Sequence, residues 1–137
     1  MTKKNGWRTH LNGFLGQIGA TPFSFGTHDC AVGLAFPVIE MQTGIDLGAP
    51  FRGKYSTFLD GAKLYMQAGF EDLEALLRSH FREYHPSAAQ VGDIASLPGD
   101  PIGWSLGVVL GERIGVLNVT GYCTIERSRA LRTFRIE

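Results

Sequence analysis

One cysteine in this chain stands where a nucleophile would be placed. Cys30 follows an extended approach, residues 23–29, that is punctuated by Gly26, and it opens an apolar stretch with helical character. A helix dipole and the free N–H groups of a first turn stabilise an anion, so a thiolate at this position would gain stability and its pKa would fall. The placement is therefore that of a thiol nucleophile.

The two residues before Cys30 bear on whether its thiol could act as a nucleophile. Asp29 is suited to cap the helix, and as an adjacent carboxylate it disfavours a thiolate. His28 lies two residues before the cysteine and is a candidate base, although local geometry tends to turn it away from the thiol. Free cysteines are among the most buried residues, so a structural thiol at a helix start is the competing interpretation of Cys30.

Metal and cofactor chemistry find little support in the sequence. The remaining histidines are most simply exposed or capping residues, and no histidine pair has metal-ligand spacing. Cys30 and Cys123 lie far apart, and neither has a ligand partner at CxxC spacing. We expect no cofactor and no metal site. The histidines in question are His10, His80 and His85.

Composition limits the class of protein. The 137 residues are 44% hydrophobic, which suits one domain over residues 1–137 with one core. The 13 basic and 13 acidic residues cancel, so neither a nucleic acid nor an anionic membrane is an expected partner. The start has no signal-like apolar region, and the longest apolar run, residues 31–39, is too short to span a bilayer. Synthesis in a reducing cytoplasm is expected.

Helical patterns fill the first two thirds of the chain. Apolar residues recur at helical spacing from Trp7 to Ile18, and a second helix is predicted from Asp29 as N-cap to Gly44, with Pro37 kinking or ending it. A third is predicted after Thr57, which forms a capping-box-like pair with Asp60. Residues 72–83 show a further helical period, which Pro86 terminates.

The last third is predicted to form strands. Short apolar runs at residues 91–97, 106–110, 114–119 and 133–136 are separated by glycine and proline turns. Helices followed by such runs indicate an α+β fold, with N-terminal helices packed on a small C-terminal antiparallel sheet.

The order of these parts resembles the NlpC-type branch of the papain-like cysteine peptidases and amidases. The resemblance rests on an Asp-Cys pair at a helix start, a helical middle, Gly92-Asp93-Ile94, and a strand reading Leu-Gly-Val-Val-Leu-Gly from Leu106. More narrowly, Trp7 with residues 23–31, 43–46, 51–57 and 91–94 looks like a family of small proteins encoded in the tail modules of phages, prophages and gene transfer agents. The resemblance to the NlpC-type branch implies a papain-like, NlpC-type fold.

The resemblance also implies roles for single residues. In NlpC-type enzymes the helix-start cysteine attacks a peptide carbonyl, a strand histidine takes its proton, and a third polar residue orients the histidine. Cys30 matches the nucleophile, Ser105 stands at the position of the histidine, and Asn118 falls near the third position. A serine does not accept a proton near neutral pH, so Cys30 lacks its base unless His28 substitutes.

A missing base within this resemblance implies a structural role. We expect a catalytically degenerate component of a phage or phage-like tail tip or baseplate, present in the virion and docked on the tail hub. The alternative is an active cysteine peptidase or amidase that cuts peptidoglycan during envelope penetration, with Cys30 as nucleophile. A third is a module that binds a peptide or glycan without cutting it. Candidate contact residues are Trp104, Arg52 and Tyr55.

Overall fold

The chain folds as an α+β structure, with its helices before its sheet. The computed structural model describes residues 3–98 and 104–137, with the backbone alone at Trp104. The α-helices are α1 (Trp7–Ile18), α2 (Phe36–Thr43), α3 (Phe58–Gln67) and α4 (Leu73–His80). A π-helix, Cys30–Ala35, runs directly into α2. The strands are β1 (Arg82–Tyr84), β2 (Ile94–Pro98), β3 (Trp104–Val109), β4 (Arg113–Asn118), β5 (Gly121–Glu126) and β6 (Arg132–Arg135).

The six strands form one antiparallel sheet in the order β1-β6-β2-β3-β4-β5. Strands β2 to β5 follow one another as a meander, and β6 returns to pair between β1 and β2. The π-helix packs on β3 and β4 near the middle of this sheet. One face of the sheet thereby joins the helices in a common core, while its other face carries a smaller apolar cluster.

Strand β5 forms one edge of the sheet, and an arginine covers part of that edge. The N–H of Arg127 donates to the carbonyl of Glu112 (2.9 Å), which fixes the alternation of hydrogen-bonded pairs along β4 and β5. By that alternation the carbonyl of Thr124 points away from β4. The guanidinium of Arg113 reaches across the strand and donates to this carbonyl oxygen at 2.6 Å.

Two helical predictions correspond closely to the structure. Helix α1 has the predicted bounds and buries Leu11 and Ile18. In α3, the Thr57 hydroxyl accepts the Asp60 N–H at 3.2 Å, so the predicted N-cap is present. The helix predicted from Asp29 to Gly44 is continuous but changes type, from a π-helix to α2. Pro37 lies in the first turn of α2, where a helix does not need its N–H, so the proline starts an α-helix rather than breaking one.

Two predictions in the second half were wrong. The helix predicted to continue to Glu83 ends at His80, because residues 82–84 form β1 and pair with β6. Strand β5 was not predicted, since its small and polar residues lack an apolar run. The same strand carries Cys123, which is exposed.

Candidate functional site

The carboxylate of Asp29 organises the segment before Cys30. Its Oδ1 accepts hydrogen bonds from the N–H groups of Ala31 (3.0 Å) and Val32 (2.9 Å), which caps the π-helix as predicted. Its Oδ2 accepts from the N–H of Gly26 (2.9 Å) and from the hydroxyl of Tyr55 (2.6 Å). With four donors on two buried oxygens, Asp29 is a structural anchor.

Two close approaches explain the glycines on either side of this anchor. Gly26 has a φ of 89°, and a Cβ there would overlap the carbonyl oxygen of Tyr55. At Gly33 a Cβ would lie 2.6 Å from the Cα of His28, so the approach segment packs directly on the π-helix. The backbone around Cys30 is therefore tightly constrained by its own sequence.

The thiol of Cys30 is held in its protonated form. Burial raises its pKa to about 11, and the charge of Asp29 acts in the same direction. Hydrogen bonding from the Leu106 backbone, the Ser105 side chain and the backbone of Cys30 itself acts in the opposite direction without offsetting these effects. The expectation that a helix start lowers the pKa of this thiol was wrong, because desolvation and an adjacent carboxylate outweigh the hydrogen bonds that favour the thiolate.

Ser105 and Cys30 are neighbours in the structure. Ser105 is the second residue of β3 and is partly buried, and its side chain is within hydrogen-bonding reach of the thiol. Asn118 ends β4, where its Oδ1 accepts from the N–H of Thr120 (3.0 Å) and from its hydroxyl (2.6 Å). Cys30 and Ser105 thus meet, while the Asn118 side chain is used by the turn between β4 and β5.

His28 is turned toward the N-terminal helix. Its Nε2 lies 2.9 Å from the carbonyl oxygen of Ile18. A carbonyl oxygen only accepts, so Nε2 carries the proton and donates to it. This bond ties the approach segment to the end of α1, and the nitrogen that forms it is not available to take a proton from Cys30.

An aromatic cavity of about 350 Å³ opens beside Cys30. Phe23 and Phe25 meet edge to face with ring centroids 4.8 Å apart, and Phe25 and Phe58 do so at 6.4 Å. Glu71 and Asp72 also line the space. The residues that line this aromatic cavity are Phe23, Phe25, Asp29, Cys30, Ala31, Tyr55, Phe58, Gly61, Ala62, Tyr65, Glu71, Asp72 and Leu73.

Two tyrosines connect the aromatic cavity to Asp29. The Tyr55 hydroxyl, which donates to Asp29, lies 3.4 Å from the hydroxyl of Tyr65. Burial and the nearby charge of Asp29 raise the pKa of Tyr55, and burial raises that of Tyr65. Both phenols therefore remain protonated, and they serve as hydrogen-bonding groups at the cavity wall.

The two loop residues proposed as contacts separate in the structure. Tyr55 turns inward to the aromatic cavity, whereas Arg52 forms a two-bond ion pair with Asp46, at 3.0 and 2.9 Å. Hydrogen bonding from Arg52 lowers the pKa of the Asp46 carboxyl. The Trp104 side chain lies outside the part of the chain that the structure describes.

Sequence reasoning identified Cys30, Asp29 and Tyr55 but missed most of the aromatic cavity. Its walls come from three separate segments, residues 23–31, 55–65 and 71–73. The available signal was the density of aromatic residues in the first two segments. Only the fold shows that these segments face one another.

Comparison with known proteins places the chain in a family. Residues 2–136 match the family described as Domain of unknown function (DUF6950). The chain belongs to this family. No curated protein and no solved structure matches the chain.

The described residues offer no site for a metal. Within residues 3–98 and 104–137, no group of three or more His, Cys, Asp and Glu side chains could hold an ion. Across the same residues, none of the helices has the length and apolar character needed to cross a bilayer. What the site does offer is a protonated thiol, two phenols and apolar walls.

Proposed function

We propose that this member of the DUF6950 family is a noncatalytic, NlpC-type component of a phage or phage-like tail tip or baseplate that docks on the tail hub. The observation that carries the noncatalytic part is the pairing of Cys30 with Ser105. A thiol whose pKa is raised to about 11, next to a hydroxyl group, has no partner that removes its proton at neutral pH.

The papain-like interpretation has topological support. The helix that begins with Cys30 packs on β3, and β3 carries near its start the residue that stands at the position of the family's base. The tail-tip setting rests on the resemblance of an ordered set of motifs to proteins of phage tail modules. Docking on a hub follows from that setting and from a cavity suited to binding.

Peptidoglycan digestion tests the noncatalytic proposal. Purified protein incubated with peptidoglycan at neutral pH is expected to release no muropeptides, and Cys30→Ala is expected to behave identically. Release by the unaltered protein that disappears in Cys30→Ala would refute the proposal.

Particles from a lysogen are a second test: the protein should sediment with tails, and deletion of its gene should give tails that lack a complete tip.

One observation favours the alternative of an active peptidoglycan peptidase or amidase. Cys30 lines an open cavity of about 350 Å³, a volume that can hold part of a peptide. This alternative requires a base for Cys30. His28 is the candidate base, but its Nε2 is already hydrogen-bonded to the carbonyl oxygen of Ile18. The digestion experiment separates the two functions directly.

A further inference from the structure

Five aromatic side chains line the aromatic cavity: Phe23, Phe25, Tyr55, Phe58 and Tyr65. Phe25 contacts both Phe23 and Phe58 edge to face, and Tyr55 and Tyr65 stand at 6.1 Å with their planes inclined by 63°. Rings held in this way bury the stem of a long side chain, and their faces attract a cation.

Carboxylates supply the formal charge of this cavity. Among the described residues that line it, three are acidic and none is basic. Asp29 is buried, and its two oxygens already accept four hydrogen bonds. Asp72 uses Oδ1 to cap α4 through the Ala75 N–H (2.8 Å), and Glu71 is exposed beside it. The charge available to an occupant therefore comes from Glu71 and Asp72.

From these walls and charges, the geometry points to the aromatic cavity as a docking socket for an arginine side chain of a partner protein. An arginine places its aliphatic stem against apolar walls, stacks its guanidinium on aromatic rings, and donates to carboxylates with a planar fork. A neutral apolar side chain would fill the same space but would leave the carboxylates of Glu71 and Asp72 without a cationic partner. This inference rests on the proposed function, because a protein that works by docking needs an anchor for its partner.

Titration with two short peptides tests the socket. Acetyl-Ala-Arg-Ala-amide and its citrulline counterpart, which has nearly the same shape without the charge, are added to the folded protein while amide shifts are followed by NMR. The arginine peptide should bind in the millimolar range, expected for one anchored side chain, with shift changes at Phe25, Tyr55 and Phe58. The citrulline peptide should bind about tenfold more weakly, or not detectably.

A charge variant and a matched control complete the test. Glu71→Gln combined with Asp72→Asn removes two charges and keeps a good N-cap at residue 72, so the fold should persist. Glu112→Gln with Glu126→Gln removes two charges from a different groove. The first pair should weaken arginine binding about five- to tenfold, and the second should leave it unchanged.

Three outcomes would overturn the socket: equal binding of both peptides, equal loss in both variant pairs, or no binding of the arginine peptide at about 20 mM, roughly tenfold above the expected constant. None of these affects the proposed function, which the peptidoglycan digestion tests separately. Conversely, Cys30-dependent cleavage would refute the noncatalytic function while the peptide titration still reports on the cavity.

Discussion

At the scale of single residues, the protonation state of Cys30 decides between a catalytic and a noncatalytic protein. Cysteine chemistry proceeds through the thiolate, and a thiol with a pKa of about 11 is almost entirely protonated at neutral pH. The competing forces are of known sign: desolvation and Asp29 favour the thiol, and hydrogen bonds from β3 favour the thiolate. The thiol form prevails.

Labelling kinetics measure this state directly. In a Cys123→Ser variant, which leaves Cys30 as the one thiol, iodoacetamide at pH 8 should react about a hundredfold more slowly than it does with a free thiol of pKa 9.0. The rate should rise about tenfold per pH unit up to about pH 10. The Cys30→Ser variant, which leaves only the exposed Cys123, provides the control for reagent quality. Labelling of Cys30 at the rate of an unperturbed thiol would contradict the assignment.

Ser105 provides a gain-of-function test at the same scale. In Ser105→His, an imidazole next to the thiol should take its proton, lower the pKa of Cys30 and speed its labelling at pH 7.5 by about tenfold or more. Ser105→Ala is the matched control and should not speed labelling, since it adds no base. If the histidine variant labels no faster than the alanine variant, residue 105 does not occupy the position of the family's base.

The sequence predicted part of this site, and the limit of that prediction is physical. Asp29 as a cap, and as a carboxylate that opposes the thiolate, follows from its place beside Cys30 in the chain. The burial of the thiol does not, because it depends on how the π-helix packs on β3 and β4. The pKa of Cys30 is therefore decided by tertiary structure, through the burial of its thiol.

At the scale of elements, two glycines in helices differ in their surroundings. A Cβ added at Gly16 in α1 would have nothing within 4 Å, whereas a Cβ at Gly61 in α3 would lie 2.8 Å from the Tyr55 ring. Helix propensity alone favours alanine at both positions by about 1 kcal/mol. Only at Gly61 does packing oppose that preference.

Alanine at the two positions should thus act in opposite directions. Gly16→Ala is expected to raise the free energy of unfolding by about 0.5–1 kcal/mol. Gly61→Ala is expected to lower it by about 1–2 kcal/mol, because the new methyl group displaces Tyr55 and strains its hydrogen bond to Asp29. Urea denaturation followed by circular dichroism measures both. A stabilising Gly61→Ala would mean that the Tyr55 ring is free to move.

The helix around Cys30 shows what a pattern of apolar residues leaves undetermined. Apolar spacing predicted a helix from Asp29 to Gly44, and the ends were right. The missing N–H of Pro37 separately predicted a kink or an end within that helix. In the structure the helix continues past Pro37 because it changes type. The π-helix Cys30–Ala35 ends just before α2, and Pro37 lies in the first turn of α2, where proline is tolerated. Such a change depends on packing against the sheet, which the local sequence does not specify.

At the scale of the whole molecule, three weak acids that line the aromatic cavity link stability to pH. The pKa values of Cys30, Tyr55 and Tyr65 are all raised in the folded state, so the native protein retains these protons more tightly than the unfolded chain does. Their contribution to stability is therefore complete below about pH 9. It declines as the pH rises above the unfolded values.

Alkaline denaturation checks this linkage. The free energy of unfolding should fall between about pH 9 and pH 11, and Cys30 should account for about 2 kcal/mol of that loss. Cys30→Ser should show a shallower decline over the same range, with the remainder due to the tyrosines. A flat profile up to about pH 11 would show that the three groups are solvated in the native state.

The covered edge of β5 has a consequence for solubility. An uncovered strand edge invites a second copy to extend the sheet, and repetition of that step yields aggregates. Arg113 occupies one of the outward carbonyls of β5 through its bond to Thr124 and places a positive charge there. We expect Arg113→Ala to scatter light at concentrations at which the unaltered protein stays clear, and Arg113→Lys to stay clear as well. The Arg113 side chain would thus serve as a built-in safeguard against polymerisation of the chain through this edge.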